Sequence, residues 1–127
     1  MTNDEISAAN CHQQLRGTLE DLASFERQIK YKEAVPFVHI TAELYEQWDS
    51  YMRKINDRVR WFSETLSAEE TVAMREFDDV MEAFWRKNLP DVPAIHERQG
   101  WKEIAEKASV LLGVLREREP PPPPERT

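Results

Sequence analysis

One cysteine, three glycines and three histidines occur in 127 residues, and no apolar run approaches the length of a membrane span. Each scarcity excludes something. Cys11 alone makes no intrachain disulfide and, without companion cysteines, no cysteine-based zinc site; this points to a reducing, cytoplasmic setting. The opening "MTNDEISAAN" lacks the positive segment and apolar core of a secretory signal. No Glu-x-x-His pair is present, because Ala9, Pro36 and Pro93 stand three residues before His12, His39 and His96. A di-iron or di-manganese bundle needs two such pairs, so no metal and no other cofactor is expected. Basic residues are also in the minority, 17 against 24 acidic ones, for a net charge of −7. That disfavours nucleic acid and anionic membrane as partners and makes a protein with a basic surface the electrostatically easier one.

What is present favours helix. The segments between prolines are rich in Glu, Ala, Leu, Lys and Arg, and their apolar residues recur at spacings of three and four. Thr2 with Glu5 can open a first helix whose stripe is Ala8, Cys11, Leu15, Leu19, Leu22 and Ile29, ending before Pro36. Thr41 can cap a second, with Ile40 and Tyr45 as a staple and a seam of Leu44, Trp48, Met52, Ile55, Val59, Phe62 and Leu66. Ser67 and Glu70 form a capping box for a third, running to about Lys87 and burying Ala73, Phe77, Val80, Met81 and Phe84. A loop follows, stiffened by Pro90 and Pro93 with a short helical turn after the latter. A fourth helix from Trp101 to Arg118 then buries Trp101, Ile104, Ala108, Leu111 and Leu115. The expected fold is all-α: a four-helix bundle of up-down-up-down order in one domain, residues 1–118. A proline-rich tail follows at 119–127, where Pro120 to Pro124 can be only polyproline II or disordered.

The stretch "FDDVMEAFWRKN", residues 77–88, looks most like chemistry. On a helix, Phe77, Val80, Met81 and Phe84 share one side, while Asp79 and Glu82 fall opposite with Arg75 and Arg86 four residues away. A solvated face pairing its own charges is the expectation. The alternative is a cation or basic-partner site at Asp78 and Glu82, four apart with no arginine between them. "RKINDRVR", residues 53–60, spreads its cations over both flanks of helix two and is read as a mixed salt-bridged surface, without a nucleic-acid stripe.

Asp91, His96 and Glu97 make the acid/base cluster of the irregular 88–100 segment, where functional residues tend to collect. No nucleophile or phosphate loop accompanies them, so an enzyme or small-molecule site there ranks third. More telling are apolar residues the bundle does not need. Trp61 lies off the helix-two seam among Lys54, Asp57, Arg58 and Thr65, and Val110 and Val114 form a second pair on helix four, away from its main stripe. Tryptophan is enriched at interface hot spots. The favoured expectation is a non-enzymatic protein-interaction module of adaptor, regulator or toxin-neutralising type, with a homodimer through helix four as the alternative.

Overall fold

A computed structural model describes residues 2–115, which are mostly helical and contain no strand. The helices are α1 (Asn3–Ala23), α2 (Phe25–Ala34), α3 (Ile40–Asn56), α4 (Arg60–Ser63), α5 (Ala68–Phe84) and α6 (Gln99–Val114), with a 3-10 turn at Ala94–Glu97. The tail at 119–127 and the expected end of helix four at Arg118 lie outside the described residues.

The expected first helix divides in two at Ser24, which is extended (φ −128°, ψ 111°) and whose hydroxyl accepts from the Arg27 amide at 3.2 Å. A helix end leaves carbonyls without partners. Gln28, wholly buried, supplies them: its amide nitrogen donates to the carbonyls of Asp21 (2.9 Å) and Leu22 (3.2 Å). The bend rotates the following turn, so Ile29, placed in the apolar stripe by its spacing, is 40% exposed.

The second expected helix is likewise interrupted. α3 closes with the Val59 amide bonded to the Lys54 carbonyl (2.9 Å) and the Arg58 amide to the Ile55 carbonyl (3.2 Å), the paired bonds of a Schellman motif. Arg58 takes the left-handed conformation usual for glycine there, with φ 53°. Its first turn also differs from expectation. His39 is the cap, its Nδ1 accepting from the Ala42 amide at 3.2 Å, whereas Thr41 is buried and its hydroxyl donates to the Pro90 carbonyl at 2.9 Å. At α5 the expected Ser67–Glu70 capping box is complete, but the helix stops at Phe84, with Trp85 extended as its cap. The short helical turn expected after Pro93 is the 3-10 turn.

The stripes otherwise meet as the spacing requires. Leu15, Leu19 and Leu22 of α1, Leu44, Trp48 and Met52 of α3, Phe62 of α4, Met74, Phe77 and Met81 of α5, and Trp101, Ile104 and Leu111 of α6 form one buried cluster. α1 packs against α3 and α6, and α5 packs against the same two helices. Ala73, Val80 and Phe84, expected in the core, are half-buried at its edge.

Candidate partner-binding surfaces

The acidic stretch forms the polar edge of the α3–α5 seam. The Trp48 indole N–H donates to Asp78 Oδ1 at 2.9 Å, and the Tyr45 hydroxyl donates to Glu82 Oε1 at 2.6 Å. Tyr45 also stacks flat on Trp85, with ring centroids 4.1 Å apart. The expected pairing of charges along α5 is not what these arginines do: Arg75 donates to Asn56 Oδ1 (3.0 Å) and Arg86 to the Trp85 carbonyl (2.6 Å). Burial pushes the Asp78 carboxyl up from its usual range, and the charges of Glu82, Asp49 and Asp79 add to this against the opposing hydrogen bond from Trp48. Burial, followed by the bond to Glu82, likewise raises the Tyr45 phenol above its usual range. One oxygen of each carboxylate is thus taken up by an aromatic donor on α3, a partner about thirty to forty positions away that spacing along α5 cannot reveal.

Asp91, His96 and Glu97 turn to different neighbours. Asp91 binds the Lys32 ammonium through Oδ2 at 2.7 Å, while Oδ1 accepts from the amides of Ile40 (2.8 Å) and Val92 (2.7 Å). Burial alone would raise its carboxyl, but Lys32, the two amides and His39 together hold it below the usual range. His96 stacks on Phe25 with centroids 4.0 Å apart, and its Nε2 meets Gln28 Oε1 at 2.8 Å. That oxygen also accepts the Trp101 indole N–H at 3.0 Å. A carbonyl oxygen can only accept, so Nε2 of His96 carries the proton. Burial holds His96 below its usual range, with Glu97 opposing. Glu97 itself is exposed. What sequence reasoning missed here is Lys32 and Gln28, the residues that hold the loop down.

Trp61 is half-buried and packed against the core, its ring edge-on to Phe62 at 6.4 Å. The turn at Arg58 resets the helical phase, so bearings extended from α3 misplace the indole. Asp4, Glu5 and Ala8 of α1 join Arg60, Trp61, Glu64 and Thr65 around a shallow depression there, so the start of α1 flanks the indole.

Val110 is 69% exposed and Val114 half-buried. The structure brings both to a groove of about 230 Å³ between α5 and α6, shared with Ala73, Phe77, Val80 and Leu111 and bordered by Glu76 and Lys107. At the far end of the same helix pair Gly100 lies against the Phe84 ring, where a Cβ would come within 2.7 Å of Cε2.

Among the described residues, no three of His, Cys, Asp or Glu come together as a metal site, and no helix is long and apolar enough to cross a membrane. No family model, curated protein or solved structure matches the chain.

Proposed function

We propose that the chain is a small protein-interaction module of the adaptor, regulator or toxin-neutralising kind, acting by binding without catalysis. Its frame is a four-helix bundle with legs α1–α2, α3–α4, α5 and α6. The order of cross-helix bonds supports an up-down-up-down arrangement: His12 to Thr65 and Thr18 to Gln47, then Trp48 to Asp78 and Tyr45 to Glu82, then Arg16 back to the carbonyls of Leu112 and Leu115.

The observation that carries the reading is the α5–α6 groove. Here a valine that the core does not use stands 69% exposed beside a concave apolar floor, the setting in which a partner's side chain is desolvated most readily. The groups that could have supported catalysis are committed elsewhere, Asp91 to Lys32 and two amides, His96 to Gln28 and Phe25.

The test is a tagged pull-down from lysate of the source organism, with Val110→Glu/Val114→Glu beside the wild type and circular dichroism confirming that the variant is folded. A stoichiometric protein held by the wild type and lost from the variant is the expected result. Retention of the same protein by both removes the groove from the interaction, and recovery of the bait alone removes the reading.

A further inference from the structure

We infer that the occupant of the α5–α6 groove is a short amphipathic helix with basic flanks; the inference rests on the interaction reading above. Two stripes at helical spacing run along the groove and one turn past it. On α5 it runs Glu69, Ala73, Glu76, Val80, and on α6 Glu103, Lys107, Val110, Val114. Their apolar members line the groove together with Glu76 and Lys107, and Glu69 and Glu103 continue the same rows one turn beyond it, so the two stripes carry three carboxylates against one ammonium. Asp79 and Glu106, also exposed, add negative charge one position farther out.

Length limits the occupant. Ala73 to Val80 and Lys107 to Val114 are each seven steps along a helix, about 10 Å at 1.5 Å per residue, which is two turns of a docked helix. Such a ligand would present apolar residues at i, i+3 or i+4, and i+7 to the floor. Lysine or arginine on either side of that stripe would meet Glu69, Glu76 and Glu103. A second copy of this chain is the poorer fit. It would set the same three carboxylates against their own kind, with Lys107 the one cation of the two stripes among the described residues, and join two molecules of net charge −7.

The experiment uses the full chain and two synthetic 16-residue peptides with leucine at the same positions, one flanked by lysine and the other by glutamate, titrated by isothermal calorimetry at low and high salt. The expected result is at least tenfold tighter binding of the lysine peptide, with the preference shrinking in high salt and falling at least tenfold in Glu76→Lys/Glu103→Lys, both sites exposed. Val110→Asp should abolish binding.

Equal affinity for the two peptides, still lost in Val110→Asp, would overturn the charge-selected occupant while leaving the interaction reading in place. Binding of neither by a chain that sediments as a dimer, and as a monomer once Val110→Asp is introduced, would assign the groove to a second copy and overturn the inference. Binding of neither by a monomeric chain would also overturn it, and the pull-down would then decide the interaction reading separately.

Discussion

At the scale of single residues, Asp78 carries a charge that its surroundings oppose. Its carboxylate is half-buried, with Asp49, Asp79 and Glu82 near and the Trp48 indole as the opposing influence. A carboxyl raised in the folded state stabilises the fold below its unfolded value near 3.8, and that contribution is lost as pH rises through the folded value. Asp78→Asn keeps an oxygen for the indole and removes the buried charge. We expect a higher Tm than wild type at pH 7, with the difference closing below about pH 4 as the wild-type carboxyl takes up its proton. Thermal melts of the two chains across that range check this. An unchanged or lower Tm at pH 7 would mean that the charge-assisted bond from Trp48 outweighs the cost of burial.

At the scale of elements, the apolar patterning shows which faces are buried more faithfully than where the helices stop. Ile55, Val59, Phe62 and Leu66 keep spacings of three and four straight through the end of α3, so periodicity carries a single helix across the Schellman turn. The usual signal of such a turn is glycine, and here the position holds Arg58. The Ser24 bend was hidden for a similar reason. No proline or glycine marks it, and the carbonyls it frees are satisfied by a glutamine four residues later. By contrast Ser67 and Glu70, whose capping chemistry is local, were legible at once.

Arg58→Val, forcing a β-branched side chain into the left-handed region, should lower stability by about 1 kcal/mol or more. Arg58→Gly should stay within about 1 kcal/mol of wild type, since relief of that conformation is offset by the entropy of an unfolded glycine. Urea denaturation of both variants measures the contrast. Equal stabilities would show that the φ of 53° carries no cost.

At the scale of the molecule, the connection from α5 to α6 is fastened to the far end of α2 and the start of α3 by Asp91. Lys32, the Ile40 amide and the Thr41 bond to Pro90 meet in one region, and the His39 ring adds a bond to the Leu89 carbonyl at 3.1 Å. Three stretches of chain, two of them about fifty or more positions from the third, are thereby joined, which is why this site could be read from composition only as an acid beside a histidine. Asp91→Asn should cost about 1.5–3 kcal/mol at neutral pH, the range for hydrogen bonds to a charged group. Because the folded carboxyl is held below 3.8, its contribution is present above that value and lost as pH falls through the depressed one; the gap between variant and wild type should therefore close in strong acid. Chemical denaturation at pH 7 and near pH 2 provides the comparison, and a gap independent of pH would mean that shape and not charge holds the loop.

Gln28 sets a different kind of constraint. Its two donors and its one oxygen face two carbonyls, an indole and an imidazole, so the amide fits in a single orientation. Glutamate would turn a carboxylate on two carbonyls, and leucine would strand the Leu22 carbonyl, the indole and the imidazole, leaving the Asp21 carbonyl with the Ser24 amide alone. Of the single-step replacements open to a drifting gene, few if any could satisfy all four neighbours together. The bend at Ser24, once acquired, would therefore act as a ratchet: the surfaces around it remain free to diversify, while the glutamine that permits it has almost nowhere to go.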